Sequence, residues 1–156
     1  MKKVFNSISV TITLAALFLT GCGSAPQNDD NALSVLASTT FLADIAQNVA
    51  GERVHVDSLL PIGTDPHAYQ AAPSDVAKIS GSELLIINGV EYEHFIESLL
   101  ENAGGKRIII EASAGVKVDE AGAGKGSGNE AVDPHMWLDP NLVISYVENI
   151  RDGLIQ

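Results

Sequence analysis

Residues 84–110, LLIINGVEYEHFIESLLENAGGKRIII, decide the fold of this chain. The stretch begins with Leu84–Ile87, whose continuous apolar character predicts a parallel strand covered on both faces, and it ends with a further predicted strand at residues 107–110. Between them, residues 93–102 place their apolar side chains on one side of a helix, which Gly104 and Gly105 end. The stretch therefore predicts a strand, a helix and a parallel strand.

The same alternation continues on both sides of this unit. Further strands are predicted at residues 33–37 and 54–60, and further helices at residues 40–50, 74–80 and 141–154. The predicted apolar stripe of the first helix is Phe41, Ile45 and Val49 with Leu42 and Ala46 beside them, and that of the last helix is Val143, Val147, Ile150 and Leu154. Together these elements predict an α/β fold, a parallel four-stranded sheet flanked by helices.

The composition fits one domain of this kind. The chain has 156 residues, of which 46% are hydrophobic, and its formal net charge is −11. No cluster of lysine and arginine is present in the sequence, and such acidity repels a phosphate backbone, so we do not expect nucleic acid as a partner.

The first 32 residues read as export and anchoring signals. Lys2 and Lys3 precede a short apolar stretch, residues 4–20, that contains several polar residues and is too short to be a convincing spanning helix. It ends in Leu-Thr-Gly-Cys22, which resembles the lipobox of bacterial lipoproteins, and Cys22 is the only cysteine in the chain. We therefore expect a signal peptide at residues 1–21, lipidation of Cys22 and a flexible tether at residues 22–32.

The tripeptide Asp-Pro-His occurs twice, ending in His67 and in His135. Both copies are expected in loops beyond the carboxyl ends of strands, where open parallel sheets bind ligands. Neutral imidazole is the commonest protein ligand for a transition metal, so the repetition predicts half of a metal coordination sphere. The alternative is that each copy is an ordinary Asp-Pro turn with a solvated histidine.

Three aspartates accompany these histidines in the sequence, namely Asp65, Asp133 and Asp139. Each is a candidate either for direct ligation or for orienting an imidazole through its second ring nitrogen. For Asp65 and Asp133 the alternative role is capping of the turn. His55 lies between two valines of a predicted strand and is expected to face outward or to be hydrogen-bonded rather than to bind metal.

Several motifs in the same order resemble one known family. They are LLPIGTDPHAYQ at residues 59–70, PSDV at 73–76, ING at 87–89 and DPHMWLDP at 133–140. Together they resemble the metal-binding lipoproteins of bacterial manganese and zinc ABC importers, the cluster A substrate-binding proteins.

This resemblance implies two lobes joined by a long helix, with the metal between them. His67 and His135 match the two histidine ligands of the N-terminal lobe, and the other lobe supplies an aspartate and either a glutamate or a histidine. Residues 33–156 are expected to form the N-terminal lobe alone, from a truncated reading frame or a fragment, so the other ligands have no counterpart here. Zinc-specific members often carry a histidine-rich acidic insertion here, whereas the loop at residues 118–132 contains no histidine, and this difference favours manganese or a general metal receptor.

The predicted function is capture of a divalent transition metal, Zn²⁺ or Mn²⁺, outside the cell for a permease and its ATPase. The chain would be held at the bacterial membrane by the lipid on Cys22. The alternatives are a surface adhesion lipoprotein and a remnant without function. A metal-dependent hydrolase is disfavoured because no base or nucleophile accompanies the histidines in a recognisable motif.

Overall fold

The computed structural model describes residues 33–116 and 133–156, and Leu33–Gln156 forms one compact unit. The predicted signal peptide, Cys22, the tether and the loop at residues 118–132 lie outside these residues. The strands are β1 (Val35–Ala37), β2 (Val56–Ser58), β3 (Leu84–Ile87) and β4 (Ile108–Glu111). The helices are α1 (Thr40–Ala50), α2 (Pro73–Ser80), α3 (Ile96–Ala103) and α4 (Pro140–Leu154), with single 3-10 turns at Pro66–Ala68 and Met136–Leu138. Within the described ranges, no helix combines the length and the hydrophobicity that crossing a bilayer requires.

The four strands form one parallel sheet in the order β2-β1-β3-β4. Val35 of β1 pairs with Val56 on one side and with Leu84 on the other, and Leu84 pairs in turn with Ile108. The chain therefore winds in opposite directions from β1 and from β3. A crevice opens beyond the carboxyl ends of these two central strands, where such sheets bind ligands. The predicted α/β fold is confirmed.

Alternate residues of each central strand enter two separate cores. In β1, Val35 and Ala37 pack with α1 and α4 on one face of the sheet, whereas Leu36 packs with α2 and α3 on the other. Leu85 of β3 follows Leu36 into the second core and is completely buried. This covering of both faces explains why β1 and β3 carry no polar alternation.

The inward faces of two helices differ from the predicted stripes. In α1 the buried residues are Leu42 and Ala46, which belong to the predicted stripe, and Ala50, whereas Phe41, Ile45 and Val49 are only partly buried beside them. Two alanines allow the α1 backbone to approach the sheet closely. The larger side chains therefore lie at the edges of this contact, which periodicity alone does not distinguish from its centre.

In α4 the buried residues are Tyr146, Ile150 and Gly153, whereas the predicted Val147 remains 37% exposed. A Cβ atom on Gly153 would overlap the side chain of Ile110, so glycine lets α4 lie directly on β4. The predicted stripe is therefore wrong for Val147, whereas Ile150 is completely buried and Val143 and Leu154 are partly buried. A glycine and a tyrosine form the contact, and neither counted as an apolar marker.

The helix predicted at residues 93–102 begins later, at Ile96. Glu93 belongs to the preceding turn, where its carboxylate accepts hydrogen bonds from backbone amides. The predicted strand at residues 54–60 shortens to Val56–Ser58, and His55 lies just before it, exposed, with Nε2 3.3 Å from Asp57 Oδ1. The outward orientation expected of His55 is confirmed.

Candidate metal centre

The two Asp-Pro-His segments meet in space although 68 residues separate them in sequence. His67 lies in the first 3-10 turn, and His135 immediately precedes the second. Their Nε2 atoms are 3.3 Å apart. Two Zn–N bonds of about 2.0–2.1 Å at a tetrahedral angle would separate the nitrogens by roughly 3.3–3.4 Å. The pair thus has the spacing that a shared cation requires.

Asp65 and Asp133 make the same contact with the backbone. In each segment the aspartate Oδ1 accepts a hydrogen bond from the amide N–H of the histidine two residues later, at 3.0 Å. This is the capping role that an Asp-Pro turn predicts. Proline at the middle position fixes φ, so each histidine is presented from a stiff turn.

Asp133 also contacts the ring of its own histidine. Among the described residues, Asp65 makes no such hydrogen bond to the ring of His67. The Nδ1 atom of His135 lies 2.6 Å from Asp133 Oδ1. An ionised carboxylate can only accept, so Nδ1 carries the proton and Nε2 carries a lone pair directed at His67. Hydrogen bonds from the backbone N–H and then from the ring of His135 lower the pKa of Asp133, which keeps it ionised.

The third aspartate has a separate role. Asp139 is the N-cap of α4, where its Oδ1 accepts from the N–H of Asn141 at 2.9 Å. In the described part of the chain, no group of three or more histidine, cysteine or acidic side chains could hold a metal. The candidate centre in these residues is therefore a pair of imidazoles.

Aromatic side chains enclose the histidine pair, which the sequence reasoning did not predict. Tyr92 lies edge-to-face against both rings, with centroids 5.2 Å from His67 and 5.7 Å from His135. Trp137 lies 5.1 Å from His135 and stacks on Phe41 at 4.1 Å. The available signal was that the only tryptophan of the chain follows His135 by two residues.

A buried carboxylate joins the carboxyl ends of the two central strands behind this pair. Glu93 is 4% exposed, and its Oε1 accepts hydrogen bonds from Ser38 Oγ and from the N–H of Asn88, both at 2.6 Å. Its Oε2 accepts from the N–H of Gly89 at 3.2 Å. Burial raises the pKa of Glu93, and these hydrogen bonds, which favour the ionised form, act in the opposite direction.

Asn88 extends this network to the His135 segment. Its Nδ2 donates to the carbonyl oxygen of Pro134 at 3.1 Å, and its Oδ1 accepts from the Tyr146 hydroxyl at 2.8 Å. Burial first, and then the charge of Glu93, raise the pKa of Tyr146 to about 12, so the phenol remains a donor. The residue before His135 is thus tied to β3 and to α4.

The His67 segment is anchored in a different way, through the start of α2. Tyr69 donates its hydroxyl to Asp75 Oδ2 at 2.5 Å, and that oxygen also accepts from the N–H of Ala72 at 2.8 Å. Asp75 is 3% exposed, and Lys78 lies 3.9 Å from its other oxygen. The hydrogen bond to Asp75 raises the pKa of Tyr69 to about 12.

This arrangement defines a class of protein. A parallel α/β unit with paired rings at its switch point is one lobe of an α/β substrate-binding protein. Residues 35–156 match the model of the family described as zinc-uptake complex component A, periplasmic (ZnuA), and the chain belongs to that family. The family resemblance drawn from the sequence motifs is confirmed.

Characterised relatives and solved structures agree with this assignment. The chain is 34% identical over 159 residues to the manganese-binding lipoprotein MntA of Halalkalibacterium halodurans, with 100% of the chain and 50% of the relative covered. It is 35% identical over 156 residues to the manganese ABC transporter substrate-binding lipoprotein ScaA of Streptococcus gordonii, with 94% and 50% covered. The chain thus spans about half the length of these curated relatives.

The Mn-bound periplasmic metal-binding protein of Candidatus Liberibacter asiaticus superimposes with a TM-score of 0.69 at 30% identity, over 78% of this chain and 44% of that one. The metal-dependent lipoprotein YcdH of Bacillus subtilis superimposes with a TM-score of 0.66 at 27% identity, over 79% and 44%. One lobe of such a protein accounts for this coverage.

Proposed function

We propose that residues 33–156 are the metal-binding lobe of an extracytoplasmic lipoprotein that captures a divalent transition metal for an ABC importer. The observation that carries the proposal is the 3.3 Å separation of His67 Nε2 and His135 Nε2, since it matches two ligands of one cation. The relatives named for manganese and the family model named for zinc support a transition metal as the cargo.

The chemistry of capture follows from the tautomer of His135. Because its Nδ1–H is bonded to Asp133, its Nε2 is free to accept a proton or a cation. In the metal-free pair of neutral rings His67 Nε2–H would donate to that lone pair, and for His67 to bind a cation through Nε2 this proton would move to Nδ1 of the same ring, which stays neutral.

Two imidazoles alone make a weak site. A structural zinc site has four protein ligands, whereas the pair leaves the other coordination positions to water or to groups outside the described residues. In the family resemblance those groups are an aspartate and a glutamate or histidine of a second lobe. The proposal gives this chain a binding role rather than a catalytic one, in keeping with relatives that are named for binding.

The proposed partners are a membrane permease and its ATPase, and relatives named as ABC transporter substrate-binding lipoproteins support them. The proposed location is the outer side of the cytoplasmic membrane or the cell surface. Residues 1–21 would act as the signal, Cys22 as the lipidation site and residues 22–32 as the tether.

Calorimetric titration of the purified chain with Zn²⁺ and with Mn²⁺ tests the proposal. We expect weak binding that disappears in the His67→Ala, His135→Ala double variant. His55→Ala is the matched control, because this ring is exposed and pairs with Asp57 instead, so it should bind as the wild type does. Binding that survives the double variant, or tight one-to-one binding by the wild type, would contradict a site made of these two imidazoles.

A further inference from the structure

The turn that joins β3 to α3, behind the histidine pair, has a backbone that its sequence disfavours. Gly89, Val90 and Glu91 have φ values of 86°, 53° and 56°. Glycine adopts this left-handed region freely, but a β-branched valine there is a genuine outlier. Such a conformation persists only where the surrounding contacts outweigh its cost, and it is found most often at functional sites.

Glu93 supplies those contacts. Its two carboxylate oxygens accept from the backbone amides of Asn88 and Gly89, at 2.6 Å and 3.2 Å, and so close the turn on itself. The Ser38 hydroxyl, also at 2.6 Å, ties the same carboxylate to the end of β1. A further bond from Tyr92 N–H to the Gly89 carbonyl, at 3.1 Å, completes the turn, which we call the 89–92 turn.

The 89–92 turn places the Tyr92 side chain against the histidine pair, and Asn88 directly precedes the turn. Tyr92 is 5% exposed and stands nearly perpendicular to His67 and His135, with interplanar angles of 87° and 81°. Asn88 donates to the Pro134 carbonyl next to His135. Both groups that back the imidazoles from inside the lobe therefore depend on the conformation of this turn.

We propose that Glu93 is a positioning residue of the metal centre, whose carboxylate fixes the 89–92 turn so that Tyr92 and Asn88 hold the two imidazoles at metal-binding separation. The role of Glu93 in metal binding rests on the function proposed above. Its role in positioning the two imidazole rings is independent of that function and is measured separately.

Glu93→Gln tests this role with little change of shape. The amide oxygen of glutamine replaces the acceptor of Ser38 and Asn88, but its NH₂ group then faces the N–H of Gly89, so two donors oppose each other. The turn loses its closing bond while the side-chain volume stays the same. Glu97→Gln is the matched control, because it removes the same charge from an exposed position in the first turn of α3.

The Hε1 protons of the two histidines report the position of Tyr92. An aromatic ring at 5–6 Å shifts their NMR frequencies, and Tyr92→Leu supplies the values without that ring. We expect both Hε1 signals of the Glu93→Gln variant to move towards the Tyr92→Leu values. Zn²⁺ affinity should fall about tenfold, the lower end of the range for residues that support metal ligands. Glu97→Gln should change neither quantity.

The outcomes separate the two proposals. Unchanged Hε1 signals and unchanged Zn²⁺ affinity in a folded Glu93→Gln variant would overturn the positioning role. A wild type that binds no Zn²⁺ would contradict the proposed function, and the Hε1 signals would still decide the role of Glu93. If Glu93→Gln does not fold, Ser38→Ala removes one donor to the same carboxylate and should give smaller shifts in the same direction; no shift would overturn the proposal.

Discussion

The two aspartates of the Asp-Pro-His segments allow a direct measurement of what a carboxylate adds to a metal-binding imidazole. Both cap their turn through the same 3.0 Å bond, but only Asp133 also contacts ring Nδ1, at 2.6 Å. In Asp133→Asn the amide oxygen still accepts both bonds, so the turn is retained and the negative charge is lost. The imidazole then becomes a weaker base and a weaker ligand.

We expect Asp133→Asn to weaken Zn²⁺ binding about tenfold, the equivalent of about 1.4 kcal/mol. This is the lower end of the range for such substitutions, and it applies because the Asp133 side chain is 78% exposed and water screens its charge. Competition with a chromophoric chelator at pH 7.5 measures the affinity. Asp65→Asn makes the same chemical change without a ring contact and should stay within about twofold of the wild type. Equal losses in the two variants would refute the argument.

Three further predictions concern the supports of the site. Tyr69→Phe should lower the free energy of unfolding in urea by about 1 kcal/mol at pH 7, because it removes the hydrogen bond to Asp75. This difference should shrink above pH 10, because the Tyr69 hydroxyl, whose pKa is raised to about 12, loses its proton and the bond as the pH rises towards that value. Gly153→Val should cost about 1–3 kcal/mol by overlap with Ile110, and Ile110→Ala in the same chain should recover part of the melting temperature lost. Burial raises the pKa of Glu93 above 4.5. The free energy of unfolding of the wild type, measured relative to that of Glu93→Gln, should therefore be highest below pH 4.5 and should fall as the pH rises through the folded-state pKa. A difference between the two proteins that does not change with pH would contradict this prediction.

The sequence predicted the sheet and the histidine pair because both depend on local signals. Continuous apolar runs identify parallel strands, and a repeated Asp-Pro-His points to two similar turns. The position of each turn beyond a strand then follows from the topology. These signals do not require knowledge of which residues meet across the fold.

The supports of the site were not predictable in this way. Glu93 resembled the first residue of a helix, and its role depends on contacts with Ser38, 55 residues earlier. Tyr146 was not part of the predicted stripe of the last helix, and its hydroxyl donates to Asn88, 58 residues away in sequence. Long-range polar contacts of this kind produce no repeating pattern in the sequence, because each contact involves only two residues that are far apart in the chain.

The surroundings of the two imidazoles determine from which side further metal ligands could reach them. Tyr92 is buried against both imidazoles, and its pKa is raised, first by burial and then by Glu93 and Asp65, so it presents a neutral ring rather than a phenolate ligand. His67 is exposed, and the His135 side chain is 41% exposed. The inner side of the pair is therefore occupied by an aromatic wall without charge. Further ligands of the proposed metal site, whether water or a carboxylate outside the described residues, would therefore approach from the solvent side.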